Sequence, residues 1–194
     1  MKIVPRIAIL LLLQTAALAA MIGMKQHTLM TGTEVLLETE PIDPRSLFRG
    51  DYVRLNYKIS QLELEQLDGD DKFERGEEVF VVLSPGEKYW NAVSIHHGMP
   101  QPAAPAVAIQ GQAEWTADRI FDRDTATEHS GSVLQAKYGI ENYFVPEGEG
   151  RELEMRGGNN AHVVDIRIAV DKNGDAGIKA VLVDGEEKYV ESLF

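Results

Sequence analysis

Residues 7–24 read IAILLLLQTAALAAMIGM, eighteen positions without a charge, in which Gln14 and Thr15 are the strongly polar side chains. A helix rises about 1.5 Å per residue, so this run covers most of a hydrocarbon layer about 30 Å thick. Lys2 and Arg6 precede it and Lys25 follows. The excess of basic charge before the run predicts that the N-terminus stays in the cytoplasm and the rest of the chain is exported. A cleaved signal peptide is the competing reading, because Ala17-Leu18-Ala19 has the small-x-small form of a cleavage site. The apolar run continues past that site through Met21, Ile22 and Met24, which favours an uncleaved anchor. Both readings export the remainder. A buried helix of a soluble protein fits least, since the run is basic-flanked and shows no amphipathic spacing.

The exported part is acidic. All 31 acidic residues and all but two of the 19 basic ones lie beyond residue 24, a net charge of −14 there. That surface repels phosphates and argues against a nucleic-acid partner. It also lacks a basic patch for anionic lipid headgroups. The chain has no cysteine, so disulfides, thiolate catalysis and cysteine-based metal sites are excluded. A domain of 170 residues can bury one sizeable core without covalent staples.

Strand signals dominate the exported part. Residues 26–32 read as a short connector and 33–39 as a first strand. Pro41 and Pro44 break regular structure. Residues 51–59 alternate, with Val53, Leu55, Tyr57 and Ile59 on one face and Arg54, Asn56 and Lys58 on the other. Ser60 to Glu63 has the form of a capping box and predicts a short helix to about Leu67. Further strands are expected at 78–83, 88–96, 107–115, 133–136, 140–144, 162–170, 177–183 and 187–190. Turns are expected at 84–87, 171–175 and Asp184-Gly185, and a second short helix near 151–155. The last three strands read as a meander. The expected fold is mainly β with two short helices, α+β being possible: an N-terminal transmembrane helix over 1–25, then one compact β-rich domain over 26–194.

One segment stands out. Residues 40–60 read EPIDPRSLFRGDYVRLNYKIS. The prolines set an extended approach, Gly50 permits a turn, and Asp51 can accept backbone amides or bond Arg45 or Arg49. Tyr52 packs beside the strand start, while Leu55 and Tyr57 face the core. Turn, cap and core explain every residue, and that account outweighs a catalytic one. The residues from Gly50 to Tyr57, GDYVRLNY, resemble the signature of the GDYXXLXY family, with matches at Gly50, Asp51, Tyr52, Leu55 and Tyr57. Residues 137–148, KYGIENYFVPEG, resemble a second block of that family. With the N-terminal helix, the resemblance spans most of the chain. It implies a bacterial protein held by one N-terminal helix, often encoded beside multi-pass membrane proteins. It supplies no catalytic residue.

Enzymatic readings find little support. Residues 44–51 resemble the box of signal peptidases at Leu47, Gly50 and Asp51, but Ile42 stands where the nucleophilic serine belongs. His96 and His97 are adjacent, so on a strand they point to opposite faces, and His27, His129 and His162 are dispersed. Asp171, Asn173 and Asp175 have the spacing of half a calcium loop, yet Ala176 and Leu182 occupy the positions that need glycine and a bidentate acid. A hairpin turn explains them better. A carboxylate pair for glycoside chemistry rests on the abundance of acids alone. No cofactor and no metal is expected. Tyr138, Tyr143 and Phe144 flank a Gly/Pro-rich loop carrying Glu147, Glu149 and Arg151, a combination suited to docking a partner, although a turn with core aromatics explains it more simply.

Two functional expectations follow. The first is a non-enzymatic accessory or assembly protein in the inner membrane, single-pass, its domain facing the periplasm or cell exterior and its partner an integral membrane protein. The second is an envelope enzyme or ligand-binding domain with a site at Gly50-Asp51-Tyr52. The motif residues that either would use are Arg45, Arg49, Gly50, Asp51, Tyr52, Leu55, Tyr57, Tyr138, Tyr143 and Glu147.

Overall fold

The structure, a computed structural model, describes residues 3–40, 52–122, 127–144 and 163–191. One α-helix and thirteen strands are found among them. Helix α1 (Ile3–Thr31) carries the apolar run and is 29 residues long. Its apolar stretch is exposed throughout. The expected connector at 26–32 is not a connector: the helix runs on to Thr31 without a break. The reason is local packing. The Lys25 ammonium donates to the Ala176 carbonyl at 2.7 Å, and the Thr28 hydroxyl, 4% exposed, donates to Asp171 Oδ2 at 2.8 Å. Gly32 ends the helix, its amide bonded to the Thr28 carbonyl at 2.9 Å. A Cβ there would lie 2.6 Å from that oxygen and 3.0 Å from the Val170 backbone, so only glycine permits the close turn into the first strand.

Strand β1 (Thr33–Glu40) follows at once. Strands β11 (Val164–Val170), β12 (Ala176–Val183) and β13 (Glu186–Val190) form the expected meander. With β3 (Asn56–Tyr57) they build a five-stranded sheet in the order β13-β12-β11-β1-β3. The two meander turns are those expected. Asp171 Oδ1 accepts the amides of Asn173 and Asp175, and Asp184-Gly185 makes a two-residue turn with positive φ at both positions.

The second sheet contains β4 (Gln61–Glu63), β5 (Asp68–Gly69), β6 (Glu78–Pro85), β7 (Trp90–His96), β8 (Val107–Asp122) and β9 (Thr127–Lys137). Its order is β4-β9-β8-β6-β7-β5. Strand β6 is central and buried on both faces from Val79 to Leu83, which is why EVFVVL reads as a continuous apolar run. A short pair, β2 (Tyr52–Arg54) with β10 (Asn142–Phe144), completes the described strands. All share one core. Val35 and Leu37 of β1 and Ile166 and Ile168 of β11 join Val81 of β6, Ile95 of β7, Ile109 of β8 and Leu134 of β9 in a single buried cluster.

Two further expectations require correction. The short helix at 60–67 does not form. Leu62 and Leu64 are drawn into the core, and 61–63 pairs with β9 as β4, between two single 3₁₀ turns, Lys58–Ser60 and Leu64–Gln66. The Ser60 hydroxyl is buried and makes no hydrogen bond among the described residues, so it caps nothing. The strand at 51–59 is also broken, into β2, β3 and the first 3₁₀ turn. The second helix, near 151–155, lies outside the described residues.

Candidate functional site

The break in the 51–59 strand has a cause. Tyr52, Val53 and Arg54 pair antiparallel with Phe144, Tyr143 and Asn142 of β10, whereas Asn56 and Tyr57 pair with Glu40 and Thr39 of β1. The chain changes partners at Leu55, whose amide donates to the Glu141 carbonyl at 2.7 Å. Alternation survives the change of partner: Leu55, Tyr57 and Ile59 are buried while Arg54 and Lys58 are exposed. The segment therefore stitches the small β2–β10 pair to the five-stranded sheet.

The two blocks singled out in the sequence meet here. The Tyr57 hydroxyl donates to the Ile140 carbonyl at 2.6 Å. In return the Tyr138 hydroxyl donates to the Ile59 carbonyl, also at 2.6 Å. Glu141 ties the turn by accepting the Tyr138 amide at 2.5 Å. Each phenol satisfies a carbonyl of the other segment, and each is buried. Such bonds keep buried carbonyls from going unpaired, a condition that costs about 1–3 kcal/mol per group. Burial raises the Tyr57 pKa well above the ordinary phenol value, with the nearby Glu141 charge adding to it. Tyr138 is raised in the same direction by the same two causes. Both stay protonated at neutral pH and neither can act as a base there. Tyr143 is buried with its ring 6.3 Å from that of Tyr189, and Phe144 beside it is 78% exposed.

Of the sequence-derived site residues, Leu55, Tyr57, Tyr138 and Tyr143 are thus brought together as core and cross-links. Tyr52 lies in β2. Arg45, Arg49, Gly50, Asp51 and Glu147 lie outside the described residues. Among the described residues no three His, Asp or Glu side chains converge to hold a metal ion. His96 bonds Ser94 at 2.9 Å, and His97 bonds Glu77 at 2.6 Å while packing on the Phe73 ring.

A family model described as GDYXXLXY protein matches residues 14–181. The chain belongs to the GDYXXLXY family. The match takes in most of α1, both tyrosine-bearing blocks and the meander as far as Val181 in β12. No curated protein and no solved structure matches the chain. The family signature has a structural meaning in this GDYXXLXY protein: its leucine and second tyrosine, Leu55 and Tyr57, are the points at which β2–β3 is locked to the second block.

One polar cluster escaped the sequence reading. Asp165 of β11 is fully buried, and its carboxylate accepts from Lys88 Nζ and the Tyr89 hydroxyl, both at 2.9 Å. The Lys88 ammonium also lies 2.6 Å from the Tyr89 oxygen, and bonding to Tyr89 and Asp165 raises its pKa. Lys88 and Tyr89 come from the β6–β7 turn, so the cluster clasps one main sheet to the other. The signal was a lone acid in VVDIRIAV, a strand in which Arg167 is the other charge. Lys88 is half-exposed, and the three groups satisfy one another, as an inter-sheet latch requires.

Proposed function

We propose that this GDYXXLXY protein is a single-pass envelope protein and a non-enzymatic accessory or assembly partner of integral membrane proteins. In this reading α1 spans the inner membrane, with Lys2 and Arg6 on the cytoplasmic side and the β domain on the periplasmic or outer side. The observation that carries it is α1 itself. Its apolar stretch, residues 7–24, is exposed along its whole length and needs another apolar environment, lipid or the helices of a partner. The tyrosines of the motif support the non-enzymatic half, because their hydroxyls are engaged by backbone carbonyls and their pKa values are raised. A ligand site at Gly50-Asp51-Tyr52 would have to work without Tyr57.

Affinity purification of the tagged full-length protein from membranes in several mild detergents tests the proposal. The expected result is a multi-pass membrane protein recovered with it in constant proportion. Recovery of the protein alone in every detergent overturns the accessory role.

A further inference from the structure

The helix that would cross the membrane does not lead into a linker; its last two turns are part of the domain. Beyond Lys25, Thr28 is buried against Asp171, and Leu29 lies over Gly177, where an added Cβ would meet Leu29 Cδ2 at 2.8 Å and Lys25 Cε at 3.2 Å. Lys25 is also the first charge after the apolar run, so it marks the edge of the hydrocarbon layer, and its amine sits on Ala176 at the start of β12. The seven residues from Lys25 to Thr31 rise about 10 Å along the helix axis. The headgroup layer on each side of a bilayer is about 5–8 Å thick. The part of the domain beside these two turns must therefore lie at headgroup depth.

That part can be named. Between the end of α1, the 98–106 loop and the 171–173 turn lies a cavity of ≈ 470 Å³, lined in part by His27, Thr31, Met99, Pro100, Pro102 and Lys172. Met30 and Met99 are 67% and 40% exposed. We propose that this end of the domain is seated in the lipid headgroup layer, with the exposed Met30 and Met99 among the side chains that meet it. The occupant of the groove is the lipid surface itself. Seating comes from the rigid helix and not from charge, because the acidic domain has no attraction for anionic lipid. The inference rests on the reading of α1 as a membrane span.

The absence of cysteine allows a direct test. Single variants Met99→Cys, Lys172→Cys, Leu12→Cys and Glu87→Cys of the full-length chain are labelled with a small fluorophore and placed in phosphatidylcholine vesicles. The vesicles carry either headgroup-nitroxide or deep acyl-nitroxide lipid. Glu87 is exposed in the β6–β7 turn, at the opposite end of the seven-residue strand β7 from the 98–106 loop, about 23 Å away. The expected result is quenching of the Leu12 label by the deep nitroxide. The headgroup nitroxide should quench the Met99 and Lys172 labels several-fold more than the Glu87 label. Quenching at Leu12 with Met99 and Lys172 no more quenched than Glu87 overturns the seating and leaves the anchor standing. No quenching at Leu12 overturns the anchor, and the seating with it.

Discussion

Tyr57→Phe isolates a single hydroxyl at the junction of the two family blocks. The ring fills the same core space, so packing is kept and the hydrogen bond to the Ile140 carbonyl is lost. That carbonyl is then buried without its donor, at a cost of about 1–3 kcal/mol. For a domain of this size each kcal/mol moves the Tm by about 2–4 °C, so the midpoint should fall by about 2–12 °C. The same variant tests the protonation argument. The folded-state pKa of Tyr57 is raised above its unfolded value near 10. The stabilisation it reflects is complete below pH 10 and is lost as pH rises toward the folded pKa. Above pH 10 the wild-type stability should fall more steeply than that of Tyr57→Phe, by about 1.4 kcal/mol per pH unit for the one phenol. Urea unfolding of the detergent-solubilised full chain, followed by tyrosine and tryptophan fluorescence between pH 7 and 11, measures both quantities. A Tyr57→Phe protein within 0.3 kcal/mol of wild type at pH 7, on the scale of about 1 kcal/mol typical of one net hydrogen bond, refutes the cross-link. An unchanged alkaline slope refutes the protonation argument.

Lys88→Met should destabilise the protein more than Asp165→Asn, the two costs lying at about 1–4 kcal/mol, because removing the cation leaves a buried carboxylate while removing the charge leaves a half-exposed lysine that can reach water; the reverse order in urea unfolding would sink the latch. Gly32→Ala should cost about 1–3 kcal/mol through contact with Thr28 and Val170 backbone, and should make residues 25–32 accessible to protease in vesicles while the β domain stays folded by circular dichroism. Resistance equal to wild type would mean that the helix end does not depend on that contact.

Much of the strand inventory was legible because its signals are local. Strand-forming runs located the meander and the start of β1, and turn chemistry located Asp171–Asp175 and Asp184-Gly185. The errors came where distant partners overrode local preference. The sequence from Ser60 to Glu63 satisfies a helix-capping pattern, but Leu62 and Leu64 gain more by entering the core beside β9. The 51–59 alternation is real in burial, yet the backbone divides its pairing between β10 and β1, which no periodicity can show. Asp165 was visible as an acid flanked by Val164 and Ile166, but its partners Lys88 and Tyr89 lie 77 and 76 positions away.

By itself the sequence determined the apolar helix, the acidic cysteine-free domain, the mainly β character and the family, because hydropathy, charge and motif spacing belong to the linear chain. Tertiary structure alone decided what the motifs are for. The two blocks lie some 80 residues apart, and their tyrosines acquire a role only when folding carries each hydroxyl to the other's carbonyl. The same holds at the other end of the molecule. Residues 26–32 look like a connector until the β11–β12 turn and Ala176 supply the partners that hold Lys25 and Thr28, and the helix becomes continuous with the domain it carries.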